Sequence, residues 1–151
     1  MAPDPNPNRS PQSIVPHLAY DDAPAAIAFL CAAFGFEEVY RLEMPDGRIG
    51  HAELCYRGNA LMLASSYPEI GFAGAAKLHS VHSQLRIDVE DVDEHFARAR
   101  AAGATIAAEP ADAPHGDREY RAIDPEGQRW TFATRLREMT PDEIRAAHGA
   151  R

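Results

Sequence analysis

The stretch DDAPAAIAFLCAAFGF, residues 21–36, reads as a helix with its end marked. Ile27, Leu30, Cys31 and Phe34 recur at helical spacing and give it an apolar face. Gly35 supplies the left-handed residue that ends such a helix. Before it, SIVPHLAY (13–20) reads as a strand. Three strands follow: EEVYRLEM (37–44) up to a PDG turn, IGHAELCY (49–56) up to an RGN turn, and ALMLAS (60–65).

The same order then returns. HSQLRIDV (82–89) is a strand, and EDVDEHFARARAAG (90–103) is a helix with Val92, Phe96 and Ala99 on one side and Gly103 at its end. ATIAAEP (104–110), DREYRAI (117–123) and QRWTFAT (128–134) complete the set. Gly35 and Gly103 are 68 residues apart, as are Asn59 and Gly127 in the RGN and PEG turns. A βαβββ unit is therefore used twice, which predicts an α+β fold of two such modules with mixed sheets. The modules span 13–66 and 81–136 of one domain. They are joined by the Gly- and Ala-rich segment 67–80, long enough to cross between them or to reach a partner chain. Residues 1–12, with four prolines and two asparagines, read as a flexible tail. Residues 137–151 read as a helical extension, with Thr140 as N-cap, Pro141 in the first turn, Glu143 completing the cap and Gly149 as the stop.

Composition narrows the function classes. With 151 residues and 45% apolar content the chain is globular, and a net charge of −8 disfavours nucleic acid and anionic membrane as partners. The two cysteines, Cys31 and Cys55, form neither a metal-ligand spacing nor a disulfide framework. No signal peptide or spanning segment is present, so the cytoplasm is the expected location.

DPEGQRWTFA (124–133) closes the second half with a turn set by Pro125 and Gly127 and a strand behind it. The doubled unit, opened by YDDAPAAIAFLCAAFGF and closed by GDREYRAIDPEGQRWTFAT, resembles the vicinal oxygen chelate superfamily, which includes glyoxalase I, bleomycin-resistance and fosfomycin-resistance proteins and extradiol dioxygenases. The likeness covers about residues 13–136 and comes nearest to the single-domain bleomycin-resistance-like group. It implies sheets curled into cups with helices outside, a homodimer, and a small-molecule ligand in each cup. It also implies that metal-dependent members hold Zn, Ni or Fe through the first and last strand of each module. Carried onto this chain, those positions are Val15 (with His17 on the same face), Met62 or Leu63, Gln84 (flanked by His82 and Arg86), and Thr131. Neither closing strand offers a carboxylate, so the expectation is a protein without the usual metal site; His17, His82 and Gln84 are the candidates for a divalent ion.

The remaining polar residues leave alternatives open. His51 and Glu53 share a strand face, either lining the cup as a general base and its orienting partner, or forming a solvated pair on the rim. His82, Gln84 and Arg86 are in phase toward a ligand; Arg86 suits a carboxylate or phosphonate, or else a neighbouring acid across the sheet. Asp117 and Arg118 read as a turn-fixing ion pair or as site residues. Tyr120 offers a ring and a hydroxyl to a ligand, or belongs to the core. Thr131 faces the cup and Trp130 the core, while His95 and His148 are assigned to helix surfaces. The leading expectation is a homodimeric binder of a small organic molecule, lined by His17, His51, Glu53, His82, Gln84, Arg86, Tyr120 and Thr131. The alternatives are a metal-dependent glyoxalase-like lyase or isomerase, and a metal-free enzyme with a His base.

Overall fold

The structure, a computed structural model, describes residues 11–149. The chain divides at Ser80 and Val81 into two compact units, each a four-stranded sheet with a helix against one face. The expected tail falls mostly on residues 1–10, outside the described residues.

In the first unit, β1 (His17–Tyr20), α1 (Ala23–Phe34), β2 (Glu37–Glu43), β3 (Ile49–Tyr56) and β4 (Asn59–Ser65) give a sheet of order β1-β4-β3-β2. Asp22 caps α1 by accepting from Ala25 N, and Gly35 leaves it in the left-handed conformation at φ 79°. Arg57 and Gly58 both have positive φ, the backbone that lets a two-residue turn follow the twist of the β3–β4 hairpin. Leu30, Phe34, Ala52, Leu54 and Leu63 are fully buried and form the core between α1 and the sheet.

The opening strand is shorter than expected. Pro16 has no N–H to donate, and the ladder with β4 begins only at His17↔Met62. Ahead of it, the side-chain amide of Gln12 takes the place of a peptide group: its Nε2 donates to Ala60 O (3.1 Å) and its Oε1 accepts from Ala60 N (2.7 Å). Residues 67–80 carry two short 3-10 turns, Pro68–Ile70 and Ala75–Lys77. Gly74 packs against β1 so closely that a Cβ there would meet Ala19 O at 2.5 Å.

The second unit repeats the plan: β5 (Gln84–Asp88), α2 (Val92–Ala101), β6 (Thr105–Asp112), β7 (Asp117–Ile123) and β8 (Arg129–Arg135), in the order β5-β8-β7-β6. β6 runs past Pro110 because it is an edge strand, and the register shift between Ala108 and Ala111 carries the proline. In the DPEG turn the buried Asp124 carboxylate accepts from Glu126 N, Gln128 N and the indole of Trp130 (3.0, 3.1 and 3.2 Å), tying turn to core. α3 (Pro141–Gly149) starts with the expected capping box between Thr140 and Glu143. Neither sheet closes on itself, and no described helix is long and apolar enough to cross a membrane.

Candidate functional site

Side chains of residues paired across a sheet share a face. In the first unit the ladders align His17, Met62, Glu53 and Tyr40 in one row, on the face opposite the Leu63–Ala52 row that packs on α1. His51, two residues before Glu53, shares that open face. The His17 and His51 rings meet edge-on at 5.6 Å between centroids, Tyr40 lies 5.6 Å from His51, and Phe72 lies 5.3 Å from His17. Burial, and then the neighbouring His51, hold the His17 imidazole below its ordinary pKa, so it is neutral at pH 7. Glu53 is only 1% exposed, a carboxylate set among rings and a thioether.

The second unit builds its open face from charges. The matching row is Arg86, Thr131, Arg121 and Ala108; the next is Asp88, Ala133, Glu119 and Ala111. Asp117, buried at 1% exposure, accepts from Arg86 Nη2 at 2.6 Å and from Arg135 Nε. Burial alone would raise the Asp117 pKa, but its bonds to the two guanidinium groups outweigh that and hold it below the usual carboxylate range. His115 Nε2 stands 3.5 Å from Asp117 and 3.4 Å from Glu119, and Arg121 donates to Glu119 at 3.2 Å. Beside this network, a cleft of about 340 Å³ is lined by Ala108, Ala111, His115, Glu119, Arg121 and His148, among others.

The structure sorts the candidate residues. His17, His51 and Glu53 come together on one face, so the solvated-rim alternative for the latter pair does not hold for the buried Glu53. Arg86 pairs with Asp88 and Asp117, the acid-across-the-sheet alternative. Gln84 lies on the open face opposite Arg129. His82 is not in phase with Gln84 and Arg86: β5 begins at Gln84, and His82 sits exposed in a bend ahead of it. Tyr120 is on the helix side, fully buried, its hydroxyl 2.7 Å from His95 Nδ1, so it is a core residue and not part of the open face. For the same reason His95 is not a surface histidine; its ring lies tilted against Phe132, 4.3 Å between centroids. Asp117 and Arg118 do not pair with each other, because neighbours on a strand point to opposite faces; Arg118 instead bonds Asp93 and Asp112. Thr131 faces the open side, and Trp130 the core, as expected.

Sequence reasoning missed Tyr40, Phe72, His115 and Arg121. The alternation of DREYR, with Asp117, Glu119 and Arg121 in phase, was the available signal for the charged face. Val15 lies outside β1 and Leu63 in the core, which leaves His17, Met62, Arg86 and Thr131 in the paired rows where the resemblance implies ligands. A thioether, a guanidinium and a hydroxyl do not complete a set for a divalent ion. Among the described residues no three His, Cys, Asp or Glu side chains cluster as a metal site. The donors present do not fit the family's metal.

Two βαβββ units, each with one sheet face opposite its helix, define the class of paired-module α+β proteins. Residues 13–132 match the model of the Glyoxalase/Bleomycin resistance protein/Dioxygenase superfamily, and the chain belongs to that family. It is 36% identical over 138 residues to the uncharacterized protein Rv0887c of Mycobacterium tuberculosis, covering 89% of this chain and 81% of that one. The crystal structure of TioX from Micromonospora sp. ML1 is similar at 34% identity and a TM-score of 0.65, covering 83% of this chain and 100% of that one. FosX of Listeria monocytogenes, solved with Mn(II) and sulfate, has a TM-score of 0.61 at 18% identity over 89% of this chain and 96% of its own, a likeness of fold alone.

Proposed function

We propose that the chain is a binding protein that sequesters a small organic molecule, in the manner of bleomycin-resistance proteins, against the open face of its first unit. The observation that carries this is the set of rings at 5.3–5.6 Å spacing formed by His17, His51, Tyr40 and Phe72 beside Met62. Rings and a thioether present a broad, polarizable surface to an organic ligand, and the neutral His17 keeps that surface free of a fixed positive charge. Glu53 supplies a buried carboxyl group for orientation. The reading includes a homodimer, as the family resemblance implies, which sedimentation velocity tests.

A thermal-shift screen of antibiotics, thiol conjugates and dicarbonyl compounds tests the function, because a ligand of the native state raises the melting temperature by mass action. The expected result is a saturable rise with one class of organic compound, unaffected by chelator, without turnover, and lost in Tyr40→Ala. Chelator-sensitive turnover of a thiol–dicarbonyl adduct would replace the binder with a glyoxalase-like lyase. Turnover that resists chelator and disappears in His51→Ala would replace it with a metal-free enzyme.

A further inference from the structure

Thr131 is 5% exposed, and its hydroxyl is buried without a hydrogen-bond partner among the described residues. A buried hydroxyl left unpaired costs stability. Its position makes that cost informative, because it stands on the open face of the second unit between Arg86 on β5 and Arg121 on β7.

Both arginines have donors to spare. Asp88 takes Nε and Nη2 of Arg86, and Asp117 takes Nη2 again. Arg86 Nη1 is left 3.8 Å from Glu119, beyond hydrogen-bond reach. Arg121 uses only Nη2, on Glu119. A guanidinium carries five N–H donors in a fixed fork. Arg86 Nη1 and Arg121 Nε and Nη1 therefore remain open among the described residues, on either side of a hydroxyl that is also a donor. The side chains of both arginines are partly exposed, at 38% and 49%.

We infer that Arg86, Thr131 and Arg121 form a seat for the carboxylate of a small organic monoacid. The two guanidinium forks hold the carboxylate oxygens, and the Thr131 hydroxyl donates to one of them, which satisfies the group the fold leaves unpaired. Arg121 also lines the cleft of about 340 Å³, so the body of the acid has room beside the seat, over Ala108 and Ala111. That volume falls at the small end of ordinary ligand pockets. Glu109, Asp112 and Glu119 also line the cleft; Glu119 is held by Arg121 and Asp112 by Arg118, so Glu109 is the acid that disfavours a second carboxylate there. The inference goes beyond the function proposed above: it concerns a different face, and it stands or falls independently of ring-lined binding in the first unit.

Sodium benzoate is the probe, with benzamide as its uncharged counterpart and sodium phthalate as the diacid. Arginine Nε–Hε resonances, recorded on the full chain, are the readout. The expected result is a saturable shift of the Arg86 and Arg121 signals with benzoate at about 10 mM or below, none with benzamide, and weaker binding of phthalate. Arg121→Gln abolishes the shift. Thr131→Val weakens benzoate about tenfold and at the same time raises the melting temperature of the free protein, since the unpaired hydroxyl is gone. Thr131→Ser keeps the hydroxyl and retains binding, which guards against a folding defect in the valine variant. Absence of a saturable shift overturns the inference, as does equal response to benzamide. So does a Thr131→Val protein that binds benzoate like the parent or melts earlier, because the hydroxyl then serves the fold alone.

Discussion

The two units share a strand order and a ladder register, yet their open faces have opposite chemistry. Position for position along the matching rows, His17, Met62, Glu53 and Tyr40 stand where Arg86, Thr131, Arg121 and Ala108 stand in the second unit. One face is rings and a thioether around a single buried acid; the other is a lattice of ion pairs. The helix sides differ too. Under α2, His95 and Tyr120 share a buried hydrogen bond, whereas the residues 68 positions earlier, Ile27 and Ala52, are apolar. Backbone hydrogen bonding fixes the repeat, and side chains are free to diverge once the core is filled. Function is therefore to be sought where the two rows disagree.

The sharpest way to break this contrast is Asp117→Asn. It strips Arg86 and Arg135 of a buried anion and is expected to cost about 3 kcal/mol, the low end for removing one partner of a buried pair, since both arginines are partly exposed. The same residue sets an acid response. Its pKa in the folded protein lies below the unfolded value, so its contribution is complete above about pH 4–5 and is lost as pH falls through the depressed value. Hydrogen exchange read amide by amide between pH 7 and pH 3 is expected to show the second unit losing protection first. Equal loss in both units would erase the distinction.

Tyr120→Phe tests the helix side. Removing the hydroxyl takes its 2.7 Å contact from the buried His95 Nδ1, and denaturant unfolding is expected to show a loss of about 1–2 kcal/mol. The smallest effect belongs to His17. Its lowered pKa adds stability above the ordinary imidazole value of about 6.5 that fades as pH drops through the folded value, by well under about 1 kcal/mol for a group so near solvent. Proton NMR of the imidazole is expected to give an apparent pKa below that ordinary value, and a rise toward it in His51→Ala.

Elements governed by local chemistry were legible in the sequence. Gly35 and Gly103 mark helix ends through positive φ, and the Arg57-Gly58 turn carries its own signature. Register was not legible, because nothing within SIVPHLAY says that pairing starts after Pro16; the two-residue offset moved the row position from Val15 to His17. Periodicity also misassigned His95, since a polar ring on a helix reads as surface until a tyrosine across the sheet supplies its partner. The ionic face went unread: the alternation of DREYR, which sets Asp117, Glu119 and Arg121 in phase, was there to be used, but only the ladder to β5 shows that Arg86 closes the network.

Gln12 counterfeits a peptide group against Ala60, so a polypeptide trimmed past it loses both contacts. A polypeptide starting at Gln12 keeps both contacts. One starting at Ser13 leaves the Ala60 amide and carbonyl to solvent at the margin of the β1–β4 ladder, and fraying there would propagate toward His17 and the ring-lined face.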